Sequence, residues 1–582
     1  MVATLAPNLA RGMLVFAPVP RLVRLAVPVL LVSCASAPVT PVPAPVVVKP
    51  AVSAVPPPVV EPSYEVTSTS EVSAVDDHAW PPPKNGGADW VAYDRPWLHK
   101  IAGAPPTFYT TSVQPDPKRK NKVDVVALDA RQLDLDMAVG KEGPWPPDEK
   151  TAGKWPRAGV GKLPRDPAVA TRVVVAFNGA FRLDHDAHGM MIRRRTFAPA
   201  VKDVASLLMH DDGRLGFGTW PLGMQLPDDV RSLRQNLDPL LEDGVVNPHA
   251  RKRWGGILGG AKQQGQRAKR SGLCRTAGGH LLYLWGDGLE PTHLGAAMKD
   301  VGCEYGMHLD MNAIHVGMVF MSYDDAQYKK GHSEALSPGM GISATKYIHA
   351  PNPKEFFYAT LRAPYDASFA PDGQVQPPPA WQPTVLTRSD GDVRVTFVDH
   401  RHVRFALTVG HDELDGAGKR RVEPPSTLAG NALRRVLAAL DLGAAKSPLG
   451  LVANGTELSP MKDAAVALVV GDDGRLALGA AAGAKWAVQV QPVDPQSLPP
   501  DLGVLFGLTA RGDLVLGEGG TPGARIEALR HAGCVSIVRP RGDGRFERAG
   551  RDSILSGGRG TRLYVLAVRP DDTTYRFDRK PR

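Results

Sequence analysis

The segment His308-Leu309-Asp310-Met311-Asn312 places a carboxylate at the end of a short, mostly uncharged strand, Tyr305 to Leu309, directly after a helix–strand unit. Catalytic carboxylates commonly occupy that position, and so do capping aspartates. His308, Asn312 and His315 flank it with hydrogen-bonding groups. An imidazole there can serve as acid, base or anion ligand, or simply pack. Nothing in the spacing of His308, Asp310, Asn312 and His315 requires a metal, and neither a metal nor a cofactor is expected.

The elements that must position this carboxylate are legible around it. Arg275-Thr276 opens a strand continuing through His280 to Trp285, and Asp287-Gly288 marks a turn. Leu294, Ala297, Met298 and Val301 recur at helical spacing from Thr292 to Val301, and Gly302 is placed to end the helix.

A chain of 582 residues exceeds one ordinary core, so several domains of roughly 150 residues or a few larger ones are expected. The net charge of +9 suits anionic partners such as phosphorylated glycans, envelope polymers or acidic lipid; a solvated basic surface is the plainer reading. No Lys/Arg run carries interleaved aromatics, so no nucleic-acid partner is expected. No Gly-x-Ser-x-Gly elbow is present. Gly255-Gly256-Ile257-Leu258-Gly259-Gly260 lacks the Lys-Ser/Thr of a phosphate loop and reads as a turn. Arg193-Arg194-Arg195 reads as a solvated charge run on a strand.

Residues 1–34 read as an export signal. Arg11, Arg21 and Arg24 precede the apolar run Leu25 to Val32, which is too short to span a bilayer. Leu31-Val32-Ser33-Cys34 resembles the bacterial lipoprotein signal, with Cys34 as the lipidated residue and membrane anchor. The alternative is an ordinary signal cleaved near Ala35 to Ala37, giving a periplasmic or secreted protein. Residues 35–63 form a Pro/Val/Ala-rich linker, an extended spacer. Of the remaining cysteines, Cys274, Cys303 and Cys534, the first two could bridge in an exported protein; buried thiols are the default reading.

The folded region repeats itself. Gly189 to Gly218 aligns without a gap on Gly450 to Gly479, and both stretches contain Asp-Asp-Gly-Arg-Leu, at Asp211 to Leu215 and Asp472 to Leu476. Val123 to Gly140 matches Val393 to Gly410, Thr276-Ala277 matches Thr509-Ala510, Gly302-Cys303 matches Gly533-Cys534, and Tyr358 to Pro364 matches Tyr564 to Pro570. Several blocks in one order argue for a duplicated domain, with copies at 64–368 and 385–582 and a linker at 369–384. The copies differ where chemistry would sit. Asn178 and Arg275 face Asp441 and Leu508, and a plain count from the paired cysteines sets Arg541 against Asp310. The first copy is therefore the candidate active one.

Residues 107 to 365 resemble the phosphodiester glycosidase family. The resemblance rests on Asn178-Gly179-Ala180-Phe181, Gly189, Asp212-Gly213, Leu233-Arg234-Gln235-Asn236-Leu237, Leu241-Glu242-Asp243-Gly244, Arg275-Thr276-Ala277-Gly278, Asp287-Gly288 and Leu309-Asp310. Residues about 385–575 would be a degenerate second copy. The family's Leu-Asp-Gly-Gly-Gly-Ser reads Leu309-Asp310-Met311-Asn312-Ala313-Ile314 here. The resemblance implies hydrolysis at a sugar carbon bearing a phosphodiester. In that reading Asp310 is the catalytic carboxylate, Arg275 clamps the phosphate, and Asn178 orients a substrate oxygen. Gly179, Thr276, Asp287, His308, Asn312 and His315 line the substrate. The alternative is a non-catalytic glycan-binding or scaffolding lipoprotein. The expected fold is α+β, a mixed strand–helix domain duplicated in tandem.

Overall fold

Runs such as Val123-Asp124-Val125-Val126-Ala127-Leu128 alternate their faces with period two and stop at tight turns. The result is a chain built of strands. The computed structural model describes residues 80–82, 89–101, 104–141, 159–181, 188–249, 266–362, 385–410, 428, 432, 435–442, 450–461, 466–494, 503–540, 544–548 and 560–578. Cys34, the Pro-rich linker, Gly255 to Gly260 and the linker 369–384 lie outside them. Six sheets account for nearly all regular structure, antiparallel apart from one strand pair. The α+β expectation is therefore corrected to a mainly β fold. Among the described residues each half has one ten-residue helix, Pro291–Asp300 or Pro522–His531, that covers one sheet face, and the other helical elements are turns of three or four residues.

The largest sheet runs in the order Val91–Ala92, Phe108–Val113, Val123–Leu128, Leu281–Leu289, Ala268–Thr276, Cys303–His308, Leu241–Glu242, Val245–Val246. Period-two alternation sends Val126 and Leu128 into the central core and Val123, Val125 and Ala127 beneath the helix Pro291–Asp300. That helix starts at Pro291, buries Leu294, Ala297 and Met298, and is followed by Gly302 at φ +82°. Arg275-Thr276 closes the strand Ala268–Thr276 instead of opening one, and Asp287-Gly288 lies within the strand Leu281–Leu289, where the register is irregular. Arg193 and Arg194 form a hairpin turn with positive φ, not a strand.

Two further sheets complete the first half. One runs Gly331–Ala335, Met318–Tyr323, Val173–Asn178, Phe356–Leu361, Leu133–Ala138. The other runs Leu215–Thr219, Ala205–His210, Val230–Gln235, Met190–Ile192, Arg195–Ala198.

The second half presents matching orders. Val385–Asp390, Val393–Val398, Leu514–Gly519, Val504–Thr509, Cys534–Arg539, Gln491–Pro492 form its large sheet. Arg545–Arg548, Val436–Asp441, Arg562–Ala567, Val403–Thr408 form the second, and Leu476–Gly479, Ala467–Val470, Trp486–Gln489, Leu451–Ala453, Thr456–Ser459 the third. The strand Thr574–Arg576 leaves this half and pairs in parallel with Leu215–Phe217 of the first.

Cys274 and Cys303 are disulfide-bonded, with Cα atoms 5.9 Å apart, so the default reading of free buried thiols is corrected for that pair. Thr276 pairs with Cys303 beside an irregularity at Arg275/Thr276, as Thr509 pairs with Cys534 beside one at Leu508/Thr509. The residue standing where Cys274 would be is Gly507, whose ideal Cβ lies 3.0 Å from Cys534 Sγ. Burial pushes the Cys534 thiol up to about 12. No helix among the described residues is long and apolar enough to cross a membrane.

Candidate functional site

Three strand ends converge at Asp310. After Cys303–His308 the chain crosses from the large sheet to the second one. The Leu309 amide donates to the Ser271 carbonyl (2.9 Å) and the Asp310 amide to the Gly179 carbonyl (3.0 Å). The Asp310 side chain is 2% exposed. Its Oδ1 accepts the amides of Met311 (2.7 Å) and Asn312 (3.0 Å), and its Oδ2 pairs with the buried Lys354 ammonium. The capping geometry and the ionic one coexist in a single carboxylate.

Asn178 ends the strand Val173–Asn178 beside it. Its Nδ2 donates to Ser271 Oγ (2.9 Å) and to the Gly179 carbonyl (3.0 Å). Its Oδ1 accepts the Tyr283 hydroxyl (3.0 Å) and the Gly317 amide (3.1 Å). Ser271 Oγ donates in turn to the Asp310 carbonyl (3.1 Å). Asn178 thus holds the floor of the site together rather than pointing its amide at a substrate. Gly179 is required there: an added Cβ would meet the Glu355 carbonyl oxygen at 2.5 Å and Glu355 Oε1 at 2.7 Å.

Glu355 and Arg234 clamp the next residues. Glu355 Oε1 accepts the Ala180 amide (3.0 Å) and Arg234 Nε (2.9 Å), while Arg234 also donates to the carbonyls of Gln235 (2.6 Å) and Phe181. Asn236 Nδ2 donates to the His308 carbonyl (2.7 Å). His308 is fully buried, and Arg270 Nη1 donates to its Nε2 (3.2 Å). Burial, reinforced by that guanidinium, holds the imidazole well below its usual range, in the neutral form. Burial also lowers Arg270 to about 10 and Lys346 to about 8, the latter against the attraction of Asp310. Lys346 Nζ donates to the carbonyls of Ile314 (2.7 Å) and His315 (3.0 Å).

Several sequence expectations require correction. Arg275 is not with Asp310. It sits four residues beyond Ser271 along the strand, roughly 13 Å away at strand rise. Its guanidinium donates to Thr574 Oγ1 (2.9 Å), the Thr574 carbonyl (3.1 Å) and Glu304. Thr276 Oγ1 hydrogen-bonds His280 Nδ1 (2.9 Å) and staples a turn. Asp287 is exposed and accepts the Gly288 amide (2.7 Å). Asn312 is exposed and closes its own loop by accepting the Ile314 amide (3.1 Å), and the amide of His315 donates back to its carbonyl (2.8 Å). Of the nine expected residues, Asp310, Asn178, Gly179 and His308 belong to the buried cluster, and Asn312 and His315 lie on its exposed rim.

No family model matches this chain, and no curated protein matches it. Three solved structures give weak likenesses. The zebrafish N-acetylglucosamine-1-phosphodiester alpha-N-acetylglucosaminidase catalytic domain, auto-inhibited by its pro-peptide, aligns with 48% of this chain and 96% of its own, at 13% identity and TM-score 0.29. A hypothetical protein from Synechocystis aligns with 44% of this chain and 62% of its own, at 10% identity and TM-score 0.26. A putative exported protein from Burkholderia pseudomallei aligns with 80% and 76%, at 12% identity and TM-score 0.12. At such scores the likenesses assign neither fold nor activity.

The sequence reading passed over Lys354, Glu355, Lys346, Arg270, Ser271 and Tyr283 as site residues. Lys354-Glu355 stands just before the strand Phe356–Leu361, and two adjacent charges abutting an apolar run was the available signal. A second ionic cluster, Asp399, His400 and Asp513, lies in the other half. There Arg401 grips Asp399 (2.9 Å from Nε), while Asp513 takes His400 Nδ1 (2.7 Å) and Arg511 (3.0 Å). Those arginines already compensate the carboxylates, so the group reads as a structural network and not as a metal centre.

Proposed function

We propose that this protein is an envelope-anchored hydrolase of phosphodiester-linked or related sugars, with its site at Asp310 in the first half. The observation that carries the reading is the charge of that buried cluster. Arg234 pairs with Glu355 and Lys354 with Asp310, and the half-buried Lys346 stands within the attraction of Asp310 as a second ammonium beside that carboxylate. Two ammonium groups at one buried carboxylate suit an anionic substrate such as a phosphodiester. Asp310 is the carboxylate for the sugar carbon, Lys354 orients it, and Lys346 replaces Arg275 as the cation facing phosphate. Export with lipid at Cys34 is part of the proposal, and the Cys274–Cys303 disulfide agrees with an oxidising compartment.

A second reading has its own support. Both Asp310 oxygens are engaged, and the loop Met311 to His315 has side chains where the family pattern has glycines. A glycan-binding scaffold would need no free carboxylate. Titration with a panel of sugar-1-phosphodiesters, wild type beside Asp310→Asn, separates the two. Turnover that collapses in the variant is the expected result. Saturable binding by both without turnover would replace the hydrolase by the scaffold.

A further inference from the structure

The two Asp-Asp-Gly-Arg-Leu turns have the same internal geometry. In each, the aspartate before glycine accepts the amide two residues on: Asp212 that of Arg214 and Asp473 that of Arg475, both at 3.1 Å. Gly213 at φ +81° and Gly474 at φ +72° make the same bend. The turns also meet. Arg214 Nη1 pairs with Asp473 Oδ2 at 3.4 Å, and Arg475 pairs with Asp212. Arg214 is the counterpart of Arg475, and Asp212 that of Asp473, so each arginine holds its own turn's aspartate (2.8 and 3.5 Å) and reaches the other turn's as well. Reciprocal exchange between equivalent residues is the signature of an isologous, two-fold contact. Asp229 sits between them, 3.5 Å from a nitrogen of each arginine.

We infer that the second half is a resident partner of the first, joined to it across a local two-fold axis in the manner of a homodimer, with the paired turns as the self-complementary contact. One-sided contacts add to it, the pairing of Thr574–Arg576 with Leu215–Phe217 first among them. Arg362 of the first half donates to the Arg401 carbonyl (3.1 Å), and Tyr575 of the second half donates to or accepts from His210 Nε2 (2.7 Å). The surface on each half therefore fits one kind of partner, another copy of this same domain. The linker keeps the partner at high local concentration but does not create the contact.

The experiment keeps the full chain and inserts a protease recognition sequence in Pro377 to Pro383. After cutting, the two fragments are expected to co-elute on size exclusion at the mass of the uncut chain. Arg214→Glu with Arg475→Glu sets like charges across the axis and should weaken the association of cut fragments tenfold or more across a dilution series. Arg214→Lys with Arg475→Lys should restore co-elution. Arg214→Gln with Arg475→Gln removes both exchanged pairs without a like-charge clash, and should weaken association several-fold with the Cys274–Cys303 bridge intact. Separation of the unmodified cut fragments, or association that the Glu and Gln variants leave unchanged, would overturn the inference.

Discussion

The two halves share their strand orders and diverge at the junction of strands that holds Asp310. Register places Val504 opposite in role to Ser271, Leu516 to Tyr283 and Asp441 to Asn178. Val488 and Val490 replace Arg234 and Asn236, fixed by a shared detail: Gln235 and Gln489 each accept the amide of a glycine, Gly189 or Gly450, on Oε1 at 2.9 and 3.0 Å. Gly560 and Thr561 stand where Lys354 and Glu355 do. The scaffold residues persist while most of the buried polar cluster is replaced, Ser271, Tyr283, Arg234 and Asn236 by apolar side chains. A buried charge network is costly unless every member is satisfied, so a half that lacks it loses nothing in stability. What survives in both halves is what folds them, and what survives only in the first is the candidate site.

This contrast can be broken most forcefully at Lys354. Lys354→Ala leaves the buried Asp310 carboxylate without its paired ammonium, only Lys346 still attracting it, and should cost about 3 kcal/mol, read as a shifted denaturation midpoint. Lys354→Arg should recover part of that loss. In the opposite direction, Gly507→Cys should give the second half the disulfide it lacks. The added Cβ falls 3.0 Å from Cys534 Sγ but also 2.4 Å from the Ser536 carbonyl oxygen, so the strand must shift to admit it, and that strain offsets part of the about 3 kcal/mol that closing the loop is worth on the chain-entropy model. The checks are loss of both thiols to alkylation and a raised midpoint that reductant abolishes; two free thiols in the folded variant would refute the equivalence.

The halves also differ in how they meet acid. Gln132 Nε2 donates to Asp129 Oδ2 at 3.0 Å, whereas His402 Nε2 stands 3.9 Å from Asp399 Oδ2. Burial, with Arg362 and Arg401 adding to it and Asp399 opposing, lowers His402 to about 4. The unfolded chain binds a proton there near pH 6.5 while the folded one does not, so stability is full above about 6.5 and falls as the pH drops toward 4, by about 3 kcal/mol. His402→Gln, the first half's own solution, should flatten that part of the pH–stability curve. An unchanged slope would show that other groups carry it. The smallest effect is expected from Ser271→Val, which borrows the second half's residue and removes one of the two acceptors of Asn178 Nδ2. A loss of about 1–2 kcal/mol is expected, and Val504→Ser in the other half should not give the reverse gain.

Much of this arrangement was readable from the chain. The helix at Thr292–Val301, the strand leading to Asp310 and the matched blocks all rest on local periodicity and spacing, and those are what a sequence displays. The errors have a common cause. Arg275 was assigned to phosphate because its true partner, Thr574, is 299 residues away. Lys354 and Glu355 were missed because they reach Asp310 and Gly179 only when the strand Phe356–Leu361 lies beside Val173–Asn178. The α+β reading gave one helix per half the weight of a class, although the strands around it cover far more of the chain. Long-range pairing leaves no local signature.

The strand Thr574–Arg576 has a consequence for truncated chains. It covers the edge at Leu215–Phe217 and takes up Arg275, which lies 299 residues before it. A clipped chain that stops before residue 574 would display that edge to any other strand, including another copy of itself. One three-residue strand thus guards a sheet of the distant first half against wrong pairing.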